Sequence, residues 1–400
     1  MNLTYQKRVR EENLKRAIRF IHRQGTTNRS TLAKVLNLSL STITTLIAEL
    51  KDKGLIQEEG LGESIGGRKP AMLHFNKEWG WVIGVKIGVR RLHLGLANLN
   101  GELKAKKIAP LISTNPLQVV HQIVEGISDL LRDYSTHRII GMGVCCPGVI
   151  DPEEGEIIRA VNLGWKDVPL RKMLASHFPW PVFVDNSLDT GALGEKWFGV
   201  GKDVQDLVYI NVGNGVGGNG VGAGIISNGE LVEGYRHGAG EFGHTSIDFN
   251  GPPCPCGNRG CVELYASAKA VVQKARAYIE KGGKTSILEL MSGDSEGLTC
   301  EVIDQAARLG DTFALNLWQE TGAVLGRAIA NLVNLLDPEV VVIGGGLSLA
   351  HPIFLETIAS VVWETTASLH RRKVEVRKAF FGRDSGLVGA AALTVERIFA

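Results

Sequence analysis

Apolar residues at Leu14, Ala17, Ile18 and Ile21 fall at i, i+3, i+4 and i+7, which predicts one helical stripe between Glu11 and His22. After the break Gly25-Thr26-Thr27, the segment Asn28-Arg29-Ser30 offers a capping start for a second helix carrying Leu32, Ala33 and Leu36. Asn37-Leu38-Ser39 makes the turn, and a third helix opening near Ser39 or Ser41 repeats the stripe with Ile43, Leu46, Ile47 and Leu50. It stops at Lys51-Asp52-Lys53, with Gly54 as its C-cap. Leu55-Ile56-Gln57 and Ala71-Met72-Leu73-His74-Phe75 flank a Gly-rich stretch and read as the two strands of a wing. Residues 1–78 therefore read as a winged helix-turn-helix domain that ends in a linker.

The polar positions of the third helix are Ser41, Thr42, Thr44 and Thr45, small hydroxyls that suit phosphates and base edges in a major groove. With Arg29 and Ser39 they form the expected contacts to double-stranded operator DNA. The wing tip Gly66-Gly67-Arg68-Lys69-Pro70 adds two cations, and Arg68 suits a narrow minor groove. Charge follows the same division: residues 1–78 hold 14 Lys/Arg against 8 Asp/Glu, the remainder 30 against 34. A basic head on a mildly acidic body assigns the polyanion to the head alone.

From Trp79 onward the period changes. Short apolar runs, Trp81–Val85, Ile139–Val144, Val182–Val184, Leu207–Val212 and Val340–Ile343, alternate with helical stretches and are bounded by Gly or Pro, an α/β pattern. The 400 residues exceed what one core organises, so two or three domains are expected. No apolar run approaches the roughly 20 residues that span a bilayer, and the N-terminus is charged and amphipathic; a cytoplasmic location without membrane contact is the expectation.

Three of the six cysteines stand within eight residues, in Cys254-Pro-Cys256-Gly-Asn-Arg-Gly-Cys261, and His244 precedes them by ten. Three thiolates and one imidazole make a tetrahedral set that suits Zn2+ and leaves no position for water, so the ion is expected to be structural.

These residues carry a resemblance. Glu241-Phe-Gly-His244-Thr-Ser-Ile-Asp248, the Cys-x-Cys-Gly-x-x-Gly-Cys-x-Glu run ending at Glu263, and Pro338-Glu339-Val-Val-Val-Ile-Gly344-Gly345-Gly346 resemble the ROK family of bacterial repressors and sugar kinases. The helix-turn-helix and the Gly-Gly-Arg-Lys-Pro linker are similar to its repressor branch, that of xylose and N-acetylglucosamine repressors. The resemblance implies a two-lobed, actin-like (ribonuclease H-like) sugar-kinase-type module. Its first lobe would span 79–198, joined by about 383–400, and its second, with the zinc site and dimerisation surface, 199–382. It further implies a sugar effector in the interlobe cleft, held by Asn186, Glu241, His244 and Glu263, and a homodimer or homotetramer. His244 would then serve metal and sugar with different ring nitrogens.

Kinases of this family open their first strand with Asp-x-Gly-Gly-Thr; here Lys86-Ile87-Gly88-Val89-Arg90 stands instead. Their Asn-Asp pair, with Asp as the base, becomes Asn186-Ser187, and serine has no useful basicity at neutral pH. The expectation is a sugar-responsive regulator of carbohydrate-utilisation genes, a repressor without kinase activity. A sugar kinase with a DNA-binding head and a regulator whose effector is a protein are the competing readings. The repeat of Gly-Asn-Gly-Val-Gly within Gly213–Gly222 reads as an insertion, Asp189 has no assigned role, and Cys145 and Cys146 read as packing residues.

Overall fold

The computed structural model describes residues 3–61, 69–134, 138–213, 220–291, 297–366 and 374–399. The head consists of α1 (Leu3–Gln24), β1 (Thr26–Asn28), α2 (Arg29–Leu36), α3 (Leu40–Asp52), β2 (Ile56–Leu61) and β3 (Ala71–Phe75). Its caps follow the side-chain chemistry. Asn28 accepts from the Thr31 N–H at 2.9 Å and Ser39 from the Thr42 N–H at 3.1 Å, while Asn37 turns the chain with φ 55°. The axes of α2 and α3 bend by 114°, within the helix-turn-helix range.

Two details depart from the sequence reading. α1 extends well before Glu11, because no Pro or Gly interrupts the preceding turns. The break read at Gly25-Thr26-Thr27 gives way to an edge strand, Thr26–Asn28, paired antiparallel with β3 from Thr26↔His74 to Asn28↔Met72, giving a sheet of order β1-β3-β2. Three residues have too little pattern to announce a strand; the partner 46 positions later creates it.

The first lobe follows, with β4 (Trp81–Ile87), β5 (Arg91–Asn98), β6 (Leu103–Pro110), α4 (Pro116–Leu131) and β7 (Ile139–Cys146). A small sheet of β8 (Val149–Asp151), β9 (Glu156–Ala160) and β10 (Trp165–Val168) precedes α5 (Leu170–Ala175), β11 (Val182–Asn186) and α6 (Ser187–Trp197). The second lobe opens with β12 (Leu207–Val212), β13 (Val221–Ser227) and β14 (Glu230–Leu231). It continues through α7 (Glu263–Ala266), α8 (Ala268–Glu280), α9 (Ile287–Leu290), α10 (Cys300–Arg308) and α11 (Thr312–Leu336). β15 (Val340–Gly344), α12 (Pro352–Thr365) and β16 (Glu375–Lys378) complete it, and α13 (Ser385–Phe399) ends the chain.

The two large sheets repeat one topology. In β11-β7-β4-β5-β6 the central β4 pairs antiparallel with β5 and parallel with β7. In β16-β15-β12-β13-β14 the central β12 pairs antiparallel with β13 and parallel with β15. This duplication is the two-lobed actin-like architecture. The parallel strands are near-continuous apolar runs because helices cover both faces.

α13 lies back over the first sheet, on β4, β7 and β11, and beside α6. One apolar core runs from the head into this lobe, linking Ile21, Leu36 and Leu73 with Leu99, Trp197 and Val388. Aromatic edges close the seam, Phe75 against Phe399 at 6.3 Å and His22 against Trp197 at 4.9 Å between ring centroids. The head is thus packed onto the first lobe. Among the described residues, no single helix is long and apolar enough to cross a membrane.

Candidate effector cleft and metal centre

β13 joins the elements that carry the expected sugar site. The start of α6 packs on it so closely that a Cβ at Gly224 would lie 2.3 Å from the Leu188 carbonyl oxygen. Next to it, the Ala223 N–H donates to the Gly240 carbonyl at 2.8 Å. Gly240 has φ +84°, and a Cβ there would sit 1.9 Å from the Ala223 oxygen, so only glycine lets the loop toward Glu241 come this near. Glu263, at the first turn of α7, accepts from the Val221 N–H of the same strand at 3.0 Å.

His244 stands between the metal cluster and a carboxylate. Its Nδ1 is 3.7 Å from Cys254 Sγ, and its Nε2 is 3.9 Å from Glu241 Oε2. Cys256 Sγ and Cys261 Sγ are 3.7 Å apart, and the four ligand atoms all lie within 4.8 Å of one another. A tetrahedral zinc with Zn–S near 2.3 Å and Zn–N near 2.0–2.1 Å needs ligand–ligand edges of about 3.6–3.8 Å, so the set fits that ion. Protonated, Cys261 is pushed up to about 12, first by burial and then by the neighbouring thiols, whereas the Asn258 backbone N–H lowers Cys256. A divalent cation reverses the sign for the buried thiol, because it stabilises the thiolate it binds.

Asn186, expected to hold the sugar, has its amide engaged within α6. It caps α6, its Oδ1 accepting from the Leu188 and Asp189 N–H groups at 2.8 and 2.9 Å, and its Nδ2 donates to Asp189 Oδ2 at 2.6 Å. Asp189, unassigned from sequence, is buried and accepts that bond. The sequence reading missed Asp185, which is 1% exposed and has an Oδ2 without a hydrogen-bond partner. The available signal was a carboxylate at the end of the apolar run Val182-Phe-Val, since unpaired Asp is rarely fully buried.

Burial raises the Asp185 carboxyl to about 7 and the Asp189 carboxyl to about 8, and the two oppose each other's ionisation. Their folded values exceed the unfolded value near 3.8, so their contribution to stability is full below about pH 4 and is lost as pH rises through about 7–8. The melting temperature of Asp189→Asn is expected to depend less on pH between about 4 and 8 than that of the parent. Differential scanning calorimetry of both proteins in matched buffers checks this; parallel curves would contradict the buried pair.

Lys86 and Ser187, expected from the sequence to replace the kinase loop and base, line one cavity of about 240 Å³ together with Gly345, Gly346 and Gly386. Its wall is cationic, with Arg91 and with Lys106 paired to Asp384. His93 on the same wall is lowered to about 4 by burial and then by Lys86 and Lys106. Cys145 and Cys146 are fully buried beneath, with thiols raised by burial, as packing residues are.

In the head, Ser39, Ser41, Thr42, Thr44 and Thr45 are all exposed along α3. The Thr44 and Thr45 hydroxyls donate to the Leu40 and Ser41 carbonyls at 2.7 and 3.1 Å, which leaves their lone pairs outward. Arg29 does not stand free: it pairs with Glu58, which Lys51 also meets at 2.6 Å, and these two cations hold the Glu58 carboxyl at about 2. Lys69 is exposed, and Arg68 lies outside the described residues, as do 214–219 of the Gly-rich repeat.

Residues 82–397 match the ROK family and residues 15–59 the MarR family. A xylose repressor of Caldicellulosiruptor bescii is 35% identical over 356 residues, 88% of each chain. The crystal structure of a ROK family transcriptional regulator, a homologue of the E. coli MLC protein, superposes with a TM-score of 0.83 at 28% identity, covering 98% of this chain and 97% of that one. A ROK family glucokinase from Streptomyces griseus, in complex with glucose and AMPPNP, gives 0.67 at 31% identity, covering 78% of this chain and 99% of its own. With the duplicated lobes, the His/Cys cluster and the winged head in one polypeptide, the chain belongs to the ROK family.

Proposed function

We propose that the protein is a sugar-responsive transcriptional repressor of carbohydrate-utilisation genes, with xylose as the first effector to test. The observation that carries this reading is the apolar core shared by head and first lobe, since any shift of the lobes then moves the DNA-reading helix. The similarity to xylose repressors over nearly the whole length supports it. Residues 1–78 read operator DNA in the cytoplasm through Ser39, Ser41, Thr42, Thr44, Thr45, Arg68 and Lys69, with Arg29 acting through Glu58. The lobes are 79–198 with 383–400, and 199–382.

Glu241, His244 and Glu263 contact the sugar hydroxyls, and Asn186 shapes the site as the cap of α6. His244, Cys254, Cys256 and Cys261 hold a structural zinc that fixes the loop beneath them. Two chains or more assemble, and sugar closure changes the spacing of their heads by binding one dimer geometry better than the other. Kinase activity is absent in this reading, because Lys86, Val89, Arg90 and Ser187 replace the phosphate loop and the base.

Thr42→Glu is expected to weaken operator binding by at least about thirtyfold, because a carboxylate meets phosphates there, while sugar binding is unaffected. Electrophoretic mobility with duplexes selected from a random pool, with and without xylose, glucose or N-acetylglucosamine, measures the first; calorimetry measures the second. Similarity to the glucokinase favours the opposing reading, and sugar-dependent ATP consumption by the parent chain would establish it.

A further inference from the structure

α3 begins at Leu40, and the first turns of a recognition helix are the part that meets base edges in a major groove. Leu40 is 57% exposed, more than any other large apolar side chain described in the head. A lone surface leucine carries little meaning elsewhere, but this one stands where the helix enters the groove. Along the same helix Ser41, Thr42, Thr44, Thr45 and Ala48 are exposed, while Ile43, Leu46 and Ile47 are buried. From Leu40 to Ala48 no side chain is charged and none carries an amide.

The donors on and around this face are already engaged. Thr44 and Thr45 spend their hydroxyl protons on the carbonyls one turn back, those of Leu40 and Ser41. Ser39 Oγ lies 2.8 Å from both Ser41 Oγ and Thr42 Oγ1, so these three hydroxyls serve one another. Arg10 and Lys53 pair with Glu49 at 2.6 and 2.8 Å, and Arg29 and Lys51 pair with Glu58. The exposed Lys34 belongs to α2, the helix that crosses the phosphate backbone. Guanine presents two acceptors in the major groove and is read by a bidentate donor, which α3 lacks; thymine presents a methyl group and is read by apolar contact.

We propose that α3 selects thymine, and that Leu40 is the specificity-determining residue, packing its side chain on the thymine 5-methyl group. This rests on the reading of residues 1–78 as an operator-binding head. Operator half-sites then carry thymine where the first turn of α3 enters the groove, and the surrounding hydroxyls position the helix without choosing a base.

Duplexes selected from a random pool with the full chain supply the operator, and single dT→dU replacements along it remove one 5-methyl group at a time. Fluorescence anisotropy then gives the affinity of the parent, Leu40→Ala and Leu40→Met for each duplex. The parent is expected to lose about fourfold at one or two thymines of each half-site, the factor for burying one methyl group. At those positions Leu40→Ala is expected to bind the thymine and uracil duplexes alike, whereas Leu40→Met, which keeps a long apolar chain, retains most of the difference. The inference is overturned if the parent accepts uracil at every thymine, if the selected half-sites contain no thymine, or if Leu40→Ala keeps the full methyl effect. The uracil scan of the parent decides the first two outcomes even if a variant melts early. Selection that recovers no duplex would overturn the operator-binding head and this inference together; a selected duplex indifferent to uracil overturns the inference alone.

Discussion

Cys261→Ser is expected to reduce the bound metal from one ion per chain to less than about a tenth of that and to lower the melting temperature by about 10 °C. Cys261 is fully buried, 3.7 Å from Cys256 Sγ, and its own Sγ faces the His244 carbonyl at 3.4 Å. Serine is a weak zinc ligand and would leave three donors around an ion that prefers four. Losing a structural metal belongs to the rare changes that cost about 4–5 kcal/mol, and a lobe of 150–250 residues shifts by roughly 2–4 °C per kcal/mol.

The damage is not confined to the ion. The Ser246–Cys261 and Pro253–Arg259 bridges and the Thr245–Val262 hydrogen bond hold the same loop that carries His244 and leads into Glu263. Elemental analysis and calorimetry measure both effects, and chelation of the parent followed by zinc addition provides the reversible counterpart. Unchanged metal content and melting in the variant would remove the centre from our account of this protein.

Glu241→Gln is expected to weaken sugar binding by about 10–150-fold, the equivalent of about 1.5–3 kcal/mol for one hydrogen bond to a charged group. Glu241 is exposed, its carboxylate lies 3.9 Å from His244 Nε2, and among the described residues no backbone N–H donates to it. Glu263 is a poorer test, because its carboxylate also supports Val221. The substitution should therefore leave folding and metal content intact, so that a loss in affinity reports on the cleft alone. Calorimetric titration with xylose and the other sugars measures it, together with the sugar concentration that releases the operator. Equal affinity in parent and variant would exclude Glu241 from the site.

In the proposed arrangement one imidazole, that of His244, would link zinc and sugar. A metal on Nδ1 fixes the tautomer and leaves Nε2 as the N–H donor facing the cleft. Chelation should therefore weaken sugar binding before the lobe unfolds, and the two measurements above separate that effect from the direct loss at Glu241.

Much of this was legible in the sequence because it is local. The stripe of Ile43, Leu46, Ile47 and Leu50, the caps Asn28 and Ser39, and strands such as Leu207–Val212 depend on neighbours a few residues away. Motif spacing likewise announced the cluster of His244 with Cys254, Cys256 and Cys261, whose ligands lie within 18 residues.

What the sequence by itself determined is therefore the order of elements, the chemistry of the metal set and the family motifs, since periodicity and spacing survive without knowledge of the fold. Only the tertiary structure decided which polar groups are already occupied. Arg29 meets Glu58 across the head, Asn186 and Asp189 satisfy each other, and Asp185 is left buried with one oxygen unpaired. It also decided that a strand forms at Thr26–Asn28 and that His22, Trp197 and Glu396 enclose a cavity between head and lobes. Burial and pairing are sums over distant segments, and a side chain's charge state and free hydrogen-bonding capacity follow from those sums rather than from its neighbours in the chain.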